Sequence, residues 1–141
     1  MYSTNLKDSK YPIICLAVMD RVCIVDFIVD TGAMYTCCNH ISLKSDIRES
    51  DFSDSEIKFI GGFVKGLPVK FYKCRLKQFT IGNIDMGEQD IWITFDERVT
   101  DTVLGMDILR QIIFIANPYN ERIYFCKDAD DYNDNFDLEA V

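Results

Sequence analysis

Phe27-Ile28-Val29-Asp30-Thr31-Gly32-Ala33 is the stretch on which the fold turns. An apolar run of strand type ends in an acid, a hydroxyl residue and a glycine, so one carboxylate is set on a tight turn at the end of a buried strand. Glycine after the acid leaves the turn without a Cβ, which lets another chain or a ligand approach the backbone. The threonine hydroxyl is placed to bond a neighbouring backbone group and lock the turn. An Asp-(Ser/Thr)-Gly tripeptide arises by chance in roughly one chain in twenty of this size, so the flanks have to carry the argument.

Upstream, Tyr11 to Val18 and Arg21 to Val29 are apolar strand-like runs parted by Met19-Asp20, which suits a hairpin leading into the turn. Downstream, expected strands at 56–63 and 67–81 flank the glycine-rich segment Gly61-Gly62-Phe63-Val64-Lys65-Gly66. A strand at 89–95 comes next, then Val103-Leu104-Gly105 and a short helix over 106–111, with Asp107 in the first turn where an acid favours a helix N-terminus. The last strands, 112–116 and 121–126, are turned by Asn117-Pro118-Tyr119-Asn120. In this order, over about residues 10 to 126, the chain resembles the retropepsin-like aspartic proteases, single-domain relatives of pepsin.

The resemblance implies an all-β fold: a closed, barrel-like protomer with one short C-terminal helix and a flap hairpin. Residues 1–127 form that protomer and 128–141 an acidic, disordered tail. It implies aspartic endopeptidase activity, with Asp30 as the catalytic carboxylate and Thr31, Gly32 and Ala33 supporting its turn. Gly61, Gly62, Phe63 and Val64 become the flap that bends over substrate. Val103, Leu104 and Gly105 pack beneath the turn, and Ile28, Ala33, Phe63, Val64 and Leu104 are candidate pocket walls. No metal or cofactor is called for.

One carboxylate is not enough for this chemistry, which needs two sharing a proton. The chain has a single complete tripeptide, since Asp85-Met86-Gly87 lacks the hydroxyl residue and Asp101-Thr102-Val103 lacks the glycine. A C2 homodimer supplies the second Asp30 on its axis, with an extended peptide lying across it. A dimerising peptide-binding module without turnover is the alternative, and a protease silent until its chains pair is a third.

One position sets the chain apart from the pepsin branch, and two depart from the retroviral pattern. Ala33 stands where the pepsin branch has a serine able to donate to the carboxylate, so activity nearer neutral pH is expected. Met34 and Met106 stand where retroviral enzymes carry an Asp and an Arg that brace the dimer. Replacing both ends of such an ion pair leaves no buried charge alone, so the exchange is compatible with the fold.

Bulk properties fit a small globular enzyme. At 141 residues and 48% hydrophobic content the chain suffices for one domain with a real core. Most of the net charge of -8 lies in the six acids between Asp128 and Glu139, and no basic patch suggests nucleic acid. The tail also lacks the glycine and terminal glutamate of a calcium loop. No apolar run nears the roughly 18 residues of a membrane span, and the polar start has no apolar leader, so a cytoplasmic location is expected. There the six cysteines (Cys15, Cys23, Cys37, Cys38, Cys74 and Cys126) stay reduced, mostly as small core residues. Cys37-Cys38-Asn39-His40 has metal-ligand types but neither a C-x-x-C pair nor a second histidine, and its neighbours on one strand end point apart, unlike a cysteine–histidine catalytic pair.

Overall fold

The computed structural model describes residues 1–5, 13–18, 21–43 and 46–136. Its strands are β1 (Tyr2–Asn5), β2 (Ile13–Val18), β3 (Arg21–Asp26), β4 (Ile28–Val29), β5 (Cys37–Asn39), β6 (Ile57–Val64), β7 (Leu67–Leu76), β8 (Gln78–Ile81), β9 (Ile84–Asp85), β10 (Gln89–Thr94), β11 (Val103–Leu104), β12 (Ile113–Asn117) and β13 (Arg122–Cys126). Two short helices, α1 (Met106–Leu109) and α2 (Ala129–Asn135), and two 3-10 turns complete the described elements. The described strands form three sheets, ordered β1-β13-β12, β4-β11-β5-β10-β7-β6 and β3-β2-β8-β9, in a mostly β, half-barrel arrangement.

The expected strand over 21–29 is two strands in two sheets. Phe27 sits at the break and is fully buried in the main core. Burying such a ring is worth about 1.5–3 kcal/mol, against about 0.5–1.5 kcal/mol for the net value of a ladder hydrogen bond, so the chain turns inward there. The expected strand over 67–81 likewise divides at Lys77, where β7 leaves the six-stranded sheet and β8 joins the four-stranded one.

The six-stranded sheet separates two apolar clusters. Along β10, Ile91 and Ile93 enter the main core, while Trp92 points the other way into a smaller cluster with Cys37, Val69, Phe71 and Val99. Along β7, Val69 and Phe71 serve the smaller cluster and Tyr72, Cys74 and Leu76 the larger. This is the period of two of a strand buried on both faces. Ile60, Phe63 and Val64 of β6 pack on the smaller cluster.

One expectation about the C-terminal segment is corrected. The acidic segment from Asp128 is not a disordered tail over its described part: 129–135 is helical. Asp128 caps that helix, accepting from Asp131 N–H at 2.9 Å, and Phe136 packs on Tyr132 and Tyr124 at 5.0 and 5.5 Å between ring centres. Asp131 in turn accepts from Lys127 N–H at 2.8 Å and from the Met1 ammonium at 3.1 Å, and these bonds hold its carboxyl below the usual range. The expected short helix is α1, ending at Leu109, and the described residues add α2 after the last strand. The expected strand start at Tyr11, the Met19-Asp20 turn and the tail from Asp137 lie outside the described residues.

Candidate active site

β4 and β11 run parallel, with Ile28 opposite Val103 and Val29 opposite Leu104. Ile28 N–H donates to Thr102 O at 2.7 Å and Asp30 N–H to Leu104 O at 3.0 Å, so the strand is held up to the residue bearing the carboxylate. The chain then turns. Ala33 N–H donates to Asp30 O at 3.2 Å, and Gly32 N–H donates to Asp30 Oδ1 at 2.9 Å. An aspartate accepting from the backbone two residues on fixes its own side chain. Asp30, Thr31 and Gly32 are exposed, and the Thr31 hydroxyl makes no hydrogen bond among the described residues.

The exit of the turn is stapled to α1. Met106 N–H donates to Ala33 O at 2.8 Å and Asp107 N–H to Met34 O at 3.1 Å. Thr36, fully buried, completes the joint: its N–H and hydroxyl donate to the two Asp107 carboxylate oxygens at 3.0 and 2.7 Å, and its hydroxyl accepts from Gly105 N–H at 3.0 Å. Gly105 is confined by its neighbours, since a Cβ there would meet the Tyr35 backbone at 2.6 Å.

The hairpin of β6 and β7 covers this turn. Its tip is the two-residue turn Lys65-Gly66, with Val64 paired to Leu67, while Gly61-Gly62-Phe63 form a bulge. Three residues of β6 there face only Pro68, which has no N–H to donate to a ladder. Gly62 has φ +97°, a conformation that favours glycine. The Phe63 ring packs on Phe71 at 5.2 Å.

The turn and the β6–β7 hairpin line a cavity of about 380 Å³. Asp30, Gly32, Ala33 and Met34 border it from the turn and Ile60, Gly61, Gly62 and Phe63 from the hairpin. Tyr35, Cys37, Asp101 and Val103 line it as well. Tyr35 stands edge-on to Trp92 at 5.8 Å, and the Lys58 ammonium lies 5.1 and 5.3 Å from those two ring centres. Burial, helped by the Asp107 charge, pushes the Cys37 thiol up to about 12, so it lines the cavity as a neutral group.

Of the residues singled out in the sequence, Asp30, Gly32, Ala33, Gly61, Gly62, Phe63 and Val103 meet at the cavity. Thr31, Ile28, Val64, Leu104 and Gly105 do not line it; Leu104 is fully buried in the core beneath the turn and is packing, not pocket wall. The Thr36–Asp107 joint and the cavity positions of Tyr35 and Asp101 were not singled out as site residues. Asp101 carried a signal, an acid two residues ahead of Val103-Leu104-Gly105. The five described cysteines, Cys23, Cys37, Cys38, Cys74 and Cys126, are buried free thiols. Among the described residues no group of three or more acidic, cysteine or histidine side chains is set to hold a metal.

No protein-family model matches the chain, and neither does any curated protein. Among solved structures, a retropepsin-like aspartic protease from Rickettsia conorii superposes with a TM-score of 0.59, covering 87% of this chain and 98% of that one at 16% identity. The fold is retropepsin-like. At that identity the likeness concerns the architecture. No helix among the described residues is long and apolar enough to cross a membrane.

Proposed function

We propose that the chain is an aspartic endopeptidase whose active form is a homodimer, with residues 1–127 as the protease protomer. The observation that carries this is the shared cavity: a carboxylate held by its own turn and a glycine bulge of the flap border the same space. The chain has one complete tripeptide and so needs a partner's. Asp30 and Thr31 are exposed beside Met34, an apolar side chain 64% open to solvent, which suits a turn lying on a two-fold axis.

In that dimer two Asp30 carboxyl groups share one proton. The ionised one takes a proton from water as its oxygen bonds to the peptide carbonyl carbon, and the protonated one donates to the carbonyl oxygen. The tetrahedral diol then collapses: the C–N bond breaks, the amine leaves with a proton, and a carboxyl group forms. Substrate lies extended under the flap and pairs with its strands. Buried free thiols suit a reducing compartment, and we place the enzyme in the cytoplasm.

The test is digestion of a proteome-derived peptide library by the purified protein from acidic to neutral pH, beside Asp30→Asn, with products mapped by mass spectrometry. Cuts made only by the parent are expected. Silence from both, at concentrations where sizing detects a dimer, overturns the peptidase reading in favour of a binding module.

A further inference from the structure

The cavity has a charge that catalysis does not use. Asp101 lines it together with Asp30, while among the described residues no lysine, arginine or histidine does. The remaining lining side chains are mainly apolar: Ala33, Met34, Tyr35, Ile60, Phe63 and Val103. The Asp101 carboxylate is exposed and makes no ion pair or hydrogen bond among the described residues. An exposed aspartate is ordinarily a solvated surface group. This one stands on the wall of an apolar cleft and is held there. Thr102, its neighbour, accepts the Ile28 N–H at 2.7 Å, and Val103 is in register with Ile28, so the segment is fixed to the strand that carries Asp30. A charged group on such a support is positioned before any ligand arrives.

An apolar wall with one unpaired carboxylate fits a side chain with an aliphatic stem and a cationic end. We infer that Asp101 is a specificity-determining residue, and that the substrates are peptides carrying lysine or arginine close to the cut bond. The inference rests on the protease reading for where the peptide lies. In a two-fold dimer Asp101 is presented once on each side of the axis, so the preference for a basic residue is repeated on both sides of the cut. Acidic side chains at those positions are rejected, because like charges in a partly desolvated cleft repel.

Two experiments separate this inference from the reading beneath it. In the first, cut sites from the library digestion are aligned for the parent, Asp101→Asn and Asp101→Lys. Lysine and arginine are expected to be enriched at one position on each side of the cut. Asp101→Asn should lower kcat/KM on a matched lysine peptide about tenfold relative to its norleucine analogue, and Asp101→Lys should turn the preference toward glutamate and aspartate. The preference should also shrink between low and high salt, as a charge contact does. Cuts without basic enrichment, or enrichment that both variants keep, overturn the inference and leave the protease intact.

In the second, fluorescence anisotropy follows a labelled lysine peptide and its norleucine analogue binding to Asp30→Asn protein, with and without Asp101→Asn. Tighter binding of the lysine peptide that depends on Asp101 supports the inference even if the parent cuts nothing, a result that removes the peptidase reading alone. Equal binding of the two peptides overturns it. Asp101 is exposed and its side chain unbonded, so its replacement leaves the fold in place.

Discussion

Gly105 and Gly61 carry the same side chain and opposite consequences. A Cβ at Gly105 meets the carbon, oxygen and nitrogen of Tyr35 at 2.6, 2.6 and 2.9 Å, and backbone cannot step aside as a side-chain tip can. Gly105→Ala is therefore expected to cost about 1–3 kcal/mol, the usual range for overpacking, and to displace Tyr35, which lines the cavity. A Cβ at Gly61 meets nothing within 4 Å, and Gly61→Ala should stay within about 0.5 kcal/mol of the parent. Urea unfolding at one fixed protein concentration compares the two; equal midpoints would show that the crossing at Tyr35 relaxes freely. Asp30 was legible in the sequence because its chemistry is local: acid, hydroxyl and glycine are consecutive. Thr36 was not, because its three bonds reach Asp107 and Gly105 across about seventy residues of chain and leave no local mark.

Among the elements, the hairpin of β6 and β7 was legible from its glycines, but their division of labour was not. The tip is Lys65-Gly66, and Gly61-Gly62-Phe63 bend the strand short of it. Gly62 at φ +97° lets the bulge form, and an alanine there carries strain of about 1–2 kcal/mol, although its Cβ would meet nothing within 4 Å. Gly62→Ala should accordingly lower kcat/KM about tenfold and lower the urea midpoint by no more than that strain accounts for, with the fastest gain in amide exchange in the β6–β7 hairpin. An unchanged kcat/KM would mean that the bulge takes no part in closing over substrate. Sequence pattern failed where burial changes sheet. The break at Lys77 has no turn residue to mark it and the one at Phe27 only Asp26, and the polar Tyr2–Asn5 pairs with β13, where Tyr2 stacks on Phe125 at 6.2 Å. α2 was hidden because acidity alone was weighed, whereas the cap at Asp128 and the aromatic pair four residues apart at Tyr132 and Phe136 are helix signals.

For the whole molecule the question is whether one chain is a complete site. The sheet β1-β13-β12 ends at β12, whose outer edge has no partner among the described strands and whose Ile113, Phe114 and Ile115 are only half-buried. An apolar open edge of this kind is ordinarily covered, and a second copy meeting it would bring the two Asp30 turns into one assembly. If the dyad is shared, the composition of the dimer sets the rate. Adding an equal amount of Asp30→Asn chain to a fixed amount of parent and letting the subunits exchange places about half of the parent chains in mixed dimers, each with one carboxylate. Activity should fall to about half and vanish in large excess of the variant. Activity should also rise faster than linearly with protein concentration near the dissociation constant, as mass action requires. A parent whose rate ignores the added variant, under conditions where mixed dimers are detected by native mass spectrometry, has its second acid within its own chain. Asp101, on the same cavity, would then be the first residue to replace.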